Sequence, residues 1–149
     1  MRISHTTPLI ALLAVTPMAW SQTAVTDAWV RGTVAQQKAS GAFMQITSKQ
    51  GGKLVAVSSP VAGVAEVHEM AMDGNTMRMR AVTSLELPPG KPVKLEPGGY
   101  HVMLMDLKAT LKAGDSVPLS LVVEDKDGKR ETLELKVPVR ALGAPEPKH

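Results

Sequence analysis

Hydrophobic residues recur at every second position in short runs along this chain, and no segment holds a helical stripe of three-to-four-residue period. The runs fall at residues 24–30, 41–47, 53–58, 65–72, 76–82, 92–96, 100–106, 117–124 and 131–137. Between them lie Pro88-Pro89-Gly90, Glu96-Pro97-Gly98-Gly99, Ala113-Gly114-Asp115 and Asp125-Lys126-Asp127-Gly128, whose residue types favour turns. Eight or nine short strands at even spacing predict an all-β protein, an antiparallel β-sandwich or barrel in a single domain without internal repeats.

The two ends read differently. Residues 1–21 combine Arg2, an apolar run from Pro8 to Ala19, and small residues at Ala19 and Ser21, the pattern of a secretory signal peptide cut before Gln22. The apolar run is too short to span a bilayer and is interrupted by Pro8 and Pro17, so a permanent membrane anchor is not expected. Residues 22–141 then form the domain, and residues 142–149, with Pro145 and Pro147, a flexible tail.

Composition narrows the chemistry. The chain is 44% hydrophobic and 21% charged, as a globular domain should be. It contains no cysteine, which removes disulfides, thiol catalysis, cysteine metal sites and lipid attachment through a thiol. The formal net charge is only +3, the basic residues are scattered, and aromatic residues are few, so nothing suits a nucleic acid.

Against this background one cluster stands out. Six of the nine methionines and two of the four histidines fall between His68 and Met105. Side chains alternate across a strand, so His68, Met70 and Met72 share one face of their run. Met77 and Met79 share a face of the next, and His101, Met103 and Met105 a face of a third. The opposite faces carry Val67, Glu69 and Ala71, then Arg78 and Arg80, then Val102 and Leu104. A type I′ turn at Asp73-Gly74 would oppose His68 to Met79 and Met70 to Met77. A longer loop would oppose Met70 to Met79 and Met72 to Met77. Methionine is also an ordinary core filler, and a strand histidine is often structural. The joint pattern points to a soft-metal site instead, because thioether and imidazole together suit monovalent copper where no thiol exists.

The spacing His68, ten residues, Met79, twenty-one residues, His101, one residue, Met103 resembles the signature of the PCu(A)C family of periplasmic copper chaperones. Met70 stands at the auxiliary methionine of that signature. Flanking text is similar too: Asp27-Ala28-Trp29-Val30-Arg31, Gly41-Ala42-Phe43-Met44, Met77-Arg78-Met79-Arg80, and Pro97-Gly98-Gly99-Tyr100 running into His101.

The resemblance implies a cupredoxin-like Greek-key β-sandwich that binds one Cu(I) through His68, Met79, His101 and Met103. It implies a periplasmic carrier rather than an enzyme, delivering copper for assembly of cytochrome c oxidase. The acceptor would be oxidase subunit II or a Sco-type thiol protein. A copper buffer that confers tolerance without a dedicated acceptor is the alternative. Without a cysteine ligand, a blue-copper electron-transfer centre cannot form. Some family members carry a methionine- and histidine-rich tail; here the tail contributes only His149.

Overall fold

Ten strands and no helix make up residues 22–141, the part of the chain that the structure, a computed structural model, describes. The expected signal peptide and tail lie outside these residues. In chain order the strands are β1 (Thr23–Arg31), β2 (Ala39–Ser48), β3 (Gly52–Ser58), β4 (Ala62–Asp73), β5 (Thr76–Val82), β6 (Leu85–Leu87), β7 (Val93–Leu95), β8 (His101–Leu107), β9 (Ser116–Glu124) and β10 (Arg130–Arg140). Nine match the expected runs. The tenth, β6, is three residues long and too short to show a period of its own.

Pairing follows the order β5-β4-β8-β2-β1-β10-β9-β3-β6, with β7 also on β2. All neighbours are antiparallel except β1 and β10, which meet in parallel at Val30↔Val139 and Arg31↔Arg140. That short junction joins two halves whose inner faces share one hydrophobic core. Ala42, Met44 and Ile46 of β2, Val67 of β4, and Val102 and Leu104 of β8 line it from one half. Leu54 of β3, Leu85 and Leu87 of β6, and Leu119, Leu121 and Val123 of β9 line it from the other. The period-two pattern of β9 shows why: Val117, Leu119, Leu121 and Val123 are all buried, and the residues between them are less so.

Because Val67, Val102 and Leu104 face this core, the residues of opposite parity on β4 and β8 lie on the outer face of the same half. That face carries His68, Met70, His101 and Met103. Of the methionines among the described residues, Met44 fills the core, at 2% exposure.

The β4–β5 hairpin decides between the two registers the sequence left open, in favour of Met70 opposing Met79. Its closing pair is Asp73↔Thr76, with a two-residue turn at Gly74-Asn75, not at Asp73-Gly74. Gly74 alone of the two takes a positive φ, +65°, which fits a type II′ turn. Met72 therefore opposes Met77, Met70 opposes Met79, and His68 opposes Ala81. This register sets the core-facing Val67 against Val82, which also packs on the core. The type I′ register would have put Arg80 there and carried its charge to the edge of the core.

Candidate metal centre

The two histidines meet across the β4–β8 pair. His68 and His101 are directly opposed, and their ring centroids are 6.1 Å apart. His101 is the first residue of β8, delivered by the Pro97-Gly98 turn, in which Gly98 takes φ +86° and the Glu96 carbonyl accepts from Gly99 N–H at 3.0 Å. The ring is 7% exposed. Its Nδ1 lies 3.0 Å from the Gly99 carbonyl oxygen. A carbonyl can only accept, so Nδ1 carries the proton and Nε2 keeps a lone pair. That lone pair faces the Met79 sulfur at 3.3 Å.

His68 is arranged the other way round. Its Nε2 lies 3.0 Å from a carboxylate oxygen of Glu66, two residues back on the same strand face. Nε2 therefore holds the proton, and Nδ1 is the basic nitrogen. Nδ1 is buried and has no hydrogen-bond partner in the protein. An orphaned buried acceptor costs free energy, and a soft cation would satisfy it.

The thioethers complete the set. Met70, Met79, His101 and Met103 line one open depression of about 300 Å³, with Phe43, Gly41, Arg31 and the Pro97-Gly98 turn around it. His68 flanks His101 beside the depression rather than lining it. Met103 opposes Gly41 on one side and Glu66 on the other, while Met79 is 47% exposed at the mouth. Met72, Met77 and Met105 do not line the depression.

These donors fit monovalent copper. His101 Nε2 and Met79 Sδ, 3.3 Å apart, are close enough to be ligands of one ion. No carboxylate lines the depression, and among the described residues no three His, Cys, Asp or Glu side chains gather to hold a harder ion. Neutral imidazole and thioether donors favour Cu(I) over Cu(II), which prefers tetragonal nitrogen and oxygen ligation.

Aromatic and cationic side chains from β1, β2 and β10 surround the site. Phe43 lies beside His101, with ring centroids 6.2 Å apart, and packs on Trp29 at 4.6 Å. The Arg31 guanidinium covers Phe43 at 5.3 Å, and that of Arg140 covers Trp29 at 5.3 Å. Trp29 reaches this outer face through a β-bulge. The β1–β2 register shifts between Thr26 and Trp29, and Asp27 takes φ +56°. One extra residue flips the parity, so Trp29 turns outward to Phe43 while Val30 turns into the core. Glu66 was legible in principle, since it shares its parity with His68.

The LpqE-like family model matches residues 23–139. The chain belongs to that family. Among its relatives, Lxx21020 of Leifsonia xyli subsp. xyli, a protein named as a lipoprotein candidate, is 30% identical over 117 residues, 78% of this chain and 68% of that one. RP573 of Rickettsia prowazekii is 32% identical over 107 residues, 68% of this chain and 59% of its own length.

Solved structures share the fold. The apo PCuAC domain of PmoF1 superposes with a TM-score of 0.61 at 24% identity, over 80% of this chain and 95% of that one. Apo-DR1885 of Deinococcus radiodurans gives 0.58 at 26% identity, over 94% and 95%. The Cu(I) form of DR1885 gives 0.56 at 28% identity, over 83% and 78%. The chain thus shares the fold of these PCuAC domains, as the family resemblance implied.

Proposed function

We propose that this protein is an exported Cu(I) carrier that binds one ion through His68, Met79, His101 and Met103 and releases it to a thiol-bearing acceptor in the periplasm. The reading rests foremost on the His101 imidazole, whose Nδ1 is tied to Gly99 while Nε2 faces the Met79 sulfur at 3.3 Å. The orphaned Nδ1 of His68 supports it, as does likeness to a domain solved with Cu(I) bound. The site has soft neutral donors and no paired nucleophile, which suits carriage rather than catalysis.

Release follows from the same donors. A charged thiolate binds Cu(I) more strongly than a thioether, so an acceptor can displace the methionines one at a time. Met79, the most exposed of the proposed ligands, leaves first. The acceptor class is a reduced dithiol, such as the copper domain of oxidase subunit II or a Sco-type protein. X-ray absorption of the Cu(I)-loaded protein should show mixed nitrogen and sulfur ligation; a shell of nitrogen and oxygen alone would sink the ligand set. Transfer to a soluble dithiol acceptor should accelerate with acceptor concentration. A rate independent of acceptor, equal to loss to a small chelator, would leave a copper buffer as the function.

A further inference from the structure

Two methionines of the β4–β5 arm, Met72 and Met77, stand outside both the proposed ligand set and the depression. Met72 and Met77 oppose each other on the last rung but one before the turn. They are 63% and 51% exposed, so neither contributes to the core. Two rungs nearer the site, past Ala71↔Arg78, Met70 opposes Met79, and both of these line the depression. Successive rungs of equal parity lie on one face. The arm therefore carries four thioethers in two adjacent rows, the inner one ending at the His101 imidazole.

The geometry suits sharing of an ion. Opposed residues on an antiparallel pair bring their Cβ atoms about 4.5–5.5 Å apart, and methionine places its sulfur on an unbranched chain with three rotatable bonds. The reverse face of the arm holds the charges. There Arg78 pairs with Asp73 at 3.2 Å and Arg80 with Glu69 at 2.7 Å. Each of these carboxylates is engaged by an arginine on the far side, and the methionine face offers sulfur alone. A set of thioethers without oxygen, nitrogen or thiolate selects monovalent soft ions and holds them less firmly than the mixed set behind it.

We propose that Met72 and Met77, backed by Met70 and Met79, form a second and weaker Cu(I) site that receives the ion before the histidines do. The inference deepens the proposed function and rests on His101 and Met79 belonging to the inner site. Copper moves inward by exchange of neutral donors: a bond from Met72 or Met77 sulfur breaks as one from Met70 or Met79 forms. The ion stays monovalent throughout, so no electron or proton needs a partner.

The test uses Ag(I), a redox-inert monovalent soft ion, titrated into the full chain labelled at its methionine methyl groups and followed by NMR. The first equivalent should move the methyls of Met79 and Met103. Further Ag(I) should move those of Met72 and Met77 together. A Met72→Leu, Met77→Leu double variant should keep the first event, lose the second, and take Cu(I) from a small chelator several-fold more slowly. Both positions are exposed and the change conserves volume, so the fold is retained. If Met72 and Met77 stay unmoved while the first equivalent binds normally, the second site is overturned. If loading is as fast in the double variant, its role in receiving copper is overturned. If Met79 and Met103 never respond but Met72 and Met77 do, the outer site stands and the inner ligand set fails.

Discussion

The Glu66 carboxylate lies 3.0 Å from Nε2 of His68 and leaves the buried Nδ1 of that ring unpartnered. An acceptor on one imidazole nitrogen sets the tautomer and makes the other the metal-binding atom. Gly99 accepts likewise from the other nitrogen of His101, Nδ1, so the two rings offer different nitrogens. Removing the acceptor at position 66 should therefore mix the His68 tautomers. Outer partners of metal-bound histidines commonly contribute about 10- to 100-fold in affinity. Glu66→Leu should weaken Cu(I) by at least the lower figure, whereas Glu66→Gln, whose amide oxygen still accepts, should lose little. Long-range proton–nitrogen correlation spectra read the tautomer directly. An unchanged His68 tautomer in Glu66→Leu would refute this account.

Methionine changes separate ligation from packing. Met79→Leu and Met103→Leu conserve volume and apolarity, and such swaps cost less than about 1.5 kcal/mol of stability. Cu(I) affinity should nevertheless fall sharply in both. Met44→Leu alters a core methionine on the other face of β2 and should leave affinity as it was. Competition titrations against a Cu(I) chelator make the comparison, and equal weakening at positions 44 and 103 would contradict the ligand set.

Gly41 tests the aromatic support. A Cβ placed there would stand 2.9 Å from the tip of the Phe43 ring, so the ring must shift away. That ring packs between Trp29 and His101. Gly41→Ala should destabilise the fold by about 1–3 kcal/mol, the usual cost of overpacking. It should also perturb Trp29 fluorescence and the His101 resonances. Unfolding curves and spectra matching the wild type would show the ring to be uninvolved.

Gly74 tests the register. Its φ is +65°, and nothing lies within 4 Å of where a Cβ would sit. The penalty for Gly74→Ala is thus backbone strain alone, about 1–2 kcal/mol. The turn should loosen, and the Met70↔Met79 and Met72↔Met77 rungs with it. Denaturant unfolding measures the first effect, and amide exchange along β5 the second. No loss of stability would mean the turn does not hold the hairpin.

Strand periodicity is a local property, and it is why residues 22–141 could be read as an all-β domain with soft donors sorted to one face. Alternation at 67–72 and 101–105 already separates Val67, Val102 and Leu104 from His68, Met70, His101 and Met103. The spacing from His68 to Met103 carried the family resemblance with it. Register is not local. Asp73-Gly74 and Gly74-Asn75 are both good turn dipeptides, and the choice between them falls to Val67, which meets Val82 in one register and Arg80 in the other. Only the packed core penalises the second. The β6 strand escaped notice because three residues have too short a period to detect. The placing of Trp29 against Phe43 depends on a bulge at Asp27 that flips parity in mid-strand, and periodicity assumes no such slip. The tautomers of His68 and His101 likewise depend on which acceptors the folded backbone and Glu66 bring within 3.0 Å. The sequence determines which side chains share a face; which of them meet across strands, and through which atoms, follows from long-range burial that no local pattern encodes.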